Sequence, residues 1–274
     1  MPALARWVII VSGFALTVLA YQMAWPWMQS NVGVPGPTTL QAVHPAAAVV
    51  AVLAATVVAI TIATTIARLI TGLTGLVVMG AGLGWAGLGL APTRDVLFHG
   101  NASLMAMDGL GWCLLVLVVT WVALVLCRPV AGVHPQRDGE PADPLTSSDG
   151  LKMLVAGLAA IPVVWLVAQS DLRGQTLAAT MLGGVAAGLV ARLWSPNVQP
   201  VLLPAGVALA GTLACWVAAM LLPELVDRAY TTGDVPSLLL PTPIDWAAGS
   251  LCGGSIGFHW AGSFLKHEGE AAAA

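Results

Sequence analysis

Ser255 and His259 stand four residues apart in the run Gly253-Gly254-Ser255-Ile256-Gly257-Phe258-His259. On a helix that spacing places both side chains on one face. A hydroxyl beside an imidazole is the least that base-assisted nucleophilic attack requires. The run also fits G-x-S-x-G, but a nucleophile elbow is a strand-to-helix turn, and this run lies within an apolar stretch from Trp246 to Leu265. The plainer expectation is a neutral imidazole bonded to Ser255 or to a backbone carbonyl. Ionisable groups inside a span are functional candidates by default, so both residues are carried forward. An imidazole facing lipid has no partner. His259 is therefore expected to face the protein interior, on the flank of the row Gly249, Gly253 and Gly257.

Two further polar groups share a pattern. Gln29-Ser30-Asn31 and Gln169-Ser170-Asp171 each follow an apolar run. They fit either a polar vestibule or ordinary capping of helix ends. Asp108 and Asp245 each precede a late apolar run, where the helix macrodipole favours a carboxylate. Asn101-Ala102-Ser103 matches a glycosylation sequon, with nothing else to suggest a glycoprotein.

Other apparent motifs dissolve on inspection. Gly82-Leu83-Gly84-Trp85-Ala86-Gly87 fits G-x-G-x-x-G. A dinucleotide fingerprint needs a preceding strand, whereas this run sits inside an apolar helix. Small residues at such spacing let helix backbones approach closely in lipid. Gly82, Gly87, Gly206, Gly211, Gly249, Gly253 and Gly257 are read as packing positions. In placing a serine and a histidine within the membrane, the chain resembles rhomboid-type intramembrane proteases. Those proteases set the two residues on different helices and carry a GxSG motif, which is absent here. The four cysteines, Cys113, Cys127, Cys215 and Cys252, form no CxxC pair and are read as small buried hydrophobes. With no HExxH, no Walker motif and no paired intramembrane carboxylates, no cofactor and no metal are expected.

The elements that position these residues follow from composition. Of 274 residues, 58% are hydrophobic and 8% charged, and mean hydropathy is +0.88. A soluble domain carries roughly 25% charged residues. Apolar runs of about 20 residues match the bilayer core. The chain is expected to be an all-α polytopic membrane protein. Net charge is −3 with no basic cluster, which excludes nucleic acid as a natural partner. The expected partners are the lipid bilayer and another membrane protein.

Eight runs are legible: 7–23, 46–66, 69–91, 109–127, 151–168, 176–194, 201–222 and 246–265. Trp25-Pro26-Trp27 follows the first as an interfacial aromatic anchor. That run is expected to be a retained helix and not a cleaved signal, because no small-x-small site follows it. An internal repeat groups the runs. Leu53-Ala54-Ala55-Thr56, Ala67-Arg68-Leu69, Ala81-Gly82 and Ala86-Gly87 recur as Leu177-Ala178-Ala179-Thr180, Ala191-Arg192-Leu193, Ala205-Gly206 and Ala210-Gly211, at a constant offset of 124. The expected organisation is a four-helix repeat over 1–127, a polar linker over 128–150, a second repeat over 151–266 and a short tail over 267–274. An even number of spans per repeat makes the repeats parallel. Arg6, Arg68, Arg128, Arg137, Lys152, Arg192 and Lys266 then share a side with both termini, against Arg94, Arg173 and Arg228 opposite. The positive-inside rule puts both termini in the cytoplasm of a bacterial-type inner membrane.

The function expected from sequence is a non-catalytic scaffold or partner-binding component of the membrane. The alternative is a facilitator of a small neutral solute, and an intramembrane enzyme using Ser255 and His259 stands behind both. Missing mid-membrane charges weigh against ion-coupled transport.

Overall fold

The computed structural model describes residues 1–30, 33–36, 38–94, 102–127, 130, 144–221, 231–232 and 235–273. The fold is all-helical, with no strand among the described residues. The helices are α1 (Ala3–Gln22), α2 (Pro45–Leu69), α3 (Gly72–Gly87), α4 (Ala102–Trp121), α5 (Ser148–Ala156), α6 (Ala160–Val167), α7 (Arg173–Trp194), α8 (Leu202–Leu221) and α9 (Pro243–Ala273). Five helical stretches are long and apolar enough to cross a membrane: Ala3–Met28, Pro45–Leu69, Ser103–Cys127, Ser148–Val167 and Arg173–Trp194. Gly72–Gly87 and Leu202–Val217 are shorter apolar helices. These helices are consistent with a multi-pass membrane protein.

Local chemistry explains the irregularities. Thr71 caps α3, its hydroxyl accepting from the Thr74 N–H at 3.1 Å. Pro162 has no N–H for the Leu158 carbonyl, and the column from Ser148 to Val167 tightens into a 3-10 turn at Gly157–Ala159 just before it. A π-helical segment, Val122–Cys127, continues α4.

Two expectations shift. The helix of α4 begins at Ala102, ahead of the run that starts at Gly109, because Ala102 to Met107 is itself rich in good helix formers. Asp108 therefore lies inside a helix and not at its mouth, so the terminal dipole does not account for it. The aromatic anchor is also divided. Trp27 is exposed, but Trp25 is buried, donates its indole N–H to the Ala86 carbonyl at 2.8 Å and stacks on Tyr21.

The packing centre is α7 with α9. Half of the α7 span is inside the protein, against 11% for α1. α1, α2 and α3 pack together; α3 also lies along α9, and α4 along α8. α2 meets the α4 column chiefly at its π segment, so the two helices part towards the other end.

Candidate functional site

The parting of α2 and α4 leaves a cavity of about 400 Å³. Val49, Val52 and Leu53 line it from α2, and Leu114, Leu115 and Val118 from α4. From Asp108 to Val118 the α4 wall runs about 15 Å at the usual helical rise. Leu53, Met107, Leu114 and Val118 are exposed at its rim. The cavity thus opens to the outside of the helix bundle past apolar side chains. Buried Trp112 backs it, its ring beside that of Tyr21.

At the head of this apolar cavity sits Asp108, 4% exposed. Thr39, from the loop ahead of α2, donates both its N–H (3.3 Å) and its hydroxyl to Oδ1. Oδ2 is buried with no hydrogen-bond partner. The Trp112 side chain neighbours the carboxylate. Two donors thus fix the carboxylate's position while half of its accepting capacity is unused. A buried polar group in that state is costly.

A second carboxylate, Asp245, is satisfied many times over. Thr242, Pro243 and Asp245 open α9 as a capping box: the Asp245 N–H donates to the Thr242 hydroxyl at 3.3 Å, and the Thr242 N–H donates to Asp245 Oδ2 at 2.9 Å. The same oxygen accepts from the Thr242 hydroxyl, the Thr176 hydroxyl and Arg173 Nη1 at 2.7 Å. Arg173 Nη2 also donates to the Gly87 carbonyl at 3.0 Å. The ends of α3, α7 and α9 are thereby joined in one buried cluster.

Below this cluster α7 and α9 close backbone to backbone. A methyl group added at Gly249 would strike Thr180, at Gly253 the Met181 carbonyl, and at Gly257 the Val185 carbonyl. Gly184 and Gly188 answer from α7 against the backbones of Gly249 and Gly254. The other glycines noted in the sequence also sit at helix contacts. Gly82 meets Thr17 of α1, Gly87 faces Ile244 and Arg173, Gly206 meets the Leu154 backbone, and Gly211 lies under the Trp246 ring.

The serine–histidine pair separates. Ser255 is buried, and its hydroxyl has no partner. His259 is exposed, contrary to the interior position expected for it. The inward stripe of α9 runs through Leu251, Ser255, Phe258 and Ala261, and His259 is turned 100° from Phe258. Arg192, in the last turn of α7, stacks its guanidinium 4.9 Å from the centre of the Phe258 ring. His259 therefore stands level with the last turn of α7.

The paired Gln-Ser motifs serve their own loops. Gln29 is exposed, and the Ser30 hydroxyl donates to the Val34 carbonyl at 3.1 Å; Asn31 lies outside the described residues. Gln169 donates to the Trp165 and Leu166 carbonyls, Ser170 bonds Gln175, and Asp171 pairs with Arg94 at 3.5 Å. No bond joins one motif to the other among the described residues. Among those residues, too, no group of three or more His, Cys, Asp or Glu could hold a metal.

Sequence reasoning passed over Thr39–Asp108 and Arg173–Asp245. The Thr242-x-x-Asp245 box was available as a signal. For Asp108 the signal was only an acidic residue bordering an apolar run. Compared with known proteins, the chain matches no family model, no curated protein and no solved structure.

Proposed function

We propose that the chain is a non-catalytic binding component of a bacterial-type inner membrane, holding another molecule in the cavity between α2 and α4. In this reading it crosses the bilayer eight times, with both termini cytoplasmic. Residues 1–127 and 151–266 form two parallel four-helix repeats about the linker 128–150. The packing of α3 on α9 and of α4 on α8 supports that arrangement, since each half's third column lies on the other half's last. The observation that carries the binding role is the sideways-opening apolar cavity headed by Asp108.

Passage of a solute between the halves has less support. A methyl group at Gly80 would meet the Cys252 and Ala248 backbones, and one at Gly109 the Thr212 side chain. The halves meet there without room between them. A photo-reactive residue in place of Leu114, which lines the cavity, tests the proposal in native membranes against the same residue in place of Trp165, exposed on α6. The expected result is one adduct of defined mass from position 114 and only scattered lipid adducts from 165. Equivalent scatter from both positions overturns the reading. Solute flux in proteoliposomes without an adduct at 114 favours a facilitator.

A further inference from the structure

We propose that the occupant of the α2–α4 cavity is a bilayer lipid whose head carries a primary ammonium group. The inference rests on the binding role above and deepens it. An apolar cavity selects an apolar chain, and this one is reached from the lipid side past Leu53, Leu114 and Val118. Its volume of about 400 Å³ is that of a small-ligand site, room for the head and upper chain of a lipid whose remaining length stays outside the cavity. A partner's transmembrane helix, about 10 Å across with its side chains, needs an open face longer than the roughly 15 Å of this cleft.

The head is specified by Asp108. Thr39 saturates Oδ1 with two donors, and Oδ2 has none. No salt bridge reaches this carboxylate among the described residues. The fitting complement is a group that brings both positive charge and N–H donors. A primary ammonium supplies three donors and a full charge, a quaternary ammonium the charge alone, and a glycerol head hydroxyl donors alone. Charge-assisted hydrogen bonds are the strong ones, and they strengthen in low dielectric. The primary ammonium therefore ranks first.

Gly111 provides a clean plug. It lines the cavity, and a Cβ placed on it meets nothing within 4 Å, so Gly111→Phe starts a large side chain from open space at the cavity wall. The full chain, delipidated in detergent, is titrated with dioleoyl phosphatidylethanolamine, phosphatidylcholine or phosphatidylglycerol and read by native mass spectrometry. Thermal unfolding checks that each variant is folded. The wild type is expected to retain phosphatidylethanolamine about tenfold better than the other two, the scale of one charge-assisted hydrogen bond. Asp108→Asn should erase that preference while a lipid is still held, and Gly111→Phe should release all three. Equal retention of the three lipids by the wild type, or an unchanged preference in Asp108→Asn, overturns the ammonium assignment and leaves the binding role standing. A folded Gly111→Phe that keeps its lipid overturns the site itself. A polypeptide shed by Gly111→Phe in place of lipid overturns the lipid and makes the occupant a protein.

Discussion

At both the α7–α9 seam and the α2–α4 cleft a carboxylate meets an apolar helix pair, and the two are resolved in opposite ways. At the seam, glycines remove every side chain that would hold the backbones apart, and Asp245 is covered by Arg173, Thr176 and Thr242. At the cleft, Val49, Val52, Leu114 and Leu115 stand between the helices, and Asp108 has only Thr39. Small residues with a matched charge make a joint. Large residues with an unmatched charge make a receptacle. The difference lies in side-chain volume and donor count, not in hydrophobicity.

The sharpest way to break this contrast is at the buried ion pair. Arg173→Met leaves Asp245 buried without its cation and should cost about 3–5 kcal/mol, as for other broken buried pairs, measured by denaturant unfolding in mixed micelles. A loss below about 1 kcal/mol would show that the threonines alone satisfy Asp245, and the joint would then be the glycine seam by itself. Next in size is Gly253→Ala, whose methyl meets the Met181 backbone; overpacking of this kind costs about 1–3 kcal/mol. An unchanged unfolding midpoint would mean that the seam slides to admit side chains.

The cleft should answer differently to the same treatment. Asp108→Asn removes no cation partner, so its effect on stability should stay within about 1 kcal/mol. A larger loss would make Asp108 a structural residue like Asp245. The smallest effect is expected at Gly111→Ala, at or below the roughly 1 kcal/mol that helix propensity alone contributes in the stabilising direction. A clear destabilisation there would mean that the cleft is closed in solution.

What could be foreseen divides along the same physical line. The apolar runs were legible because a bilayer imposes a length and a composition on whatever crosses it. The row Gly249, Gly253 and Gly257 was legible as a packing edge, since four-residue spacing fixes one helix face. Its partner was not legible, because α7 offers Thr180, Met181 and Val185 beside Gly184 and Gly188, and no local pattern marks a receiving surface. His259 was placed by angle from that row. The angle ignores how far the neighbouring helix extends, and α7 ends near that level at Trp194. Asp108 was set at a helix mouth because the loop ahead of it looked longer than it is. With α4 beginning at Ala102, the same residue becomes a carboxylate within an apolar helix. A shift of seven residues in one helix start separated a cap from a candidate binding group.

The cluster that joins α3, α7 and α9 also has a place in the life of the chain on the ribosome. Arg173 and Asp245 are 72 residues apart. At translation rates of 5–20 residues per second, Asp245 emerges on the order of several seconds after Arg173. Throughout that interval α7 carries at its leading turn a guanidinium that lacks its carboxylate and has the Gly87 carbonyl as an acceptor. Synthesis therefore passes through a stage in which the insertion machinery, or water at the membrane surface, must shelter Arg173 until the last helix arrives. Entry of α9 then does two things at once: it neutralises that charge and slides the glycine row home.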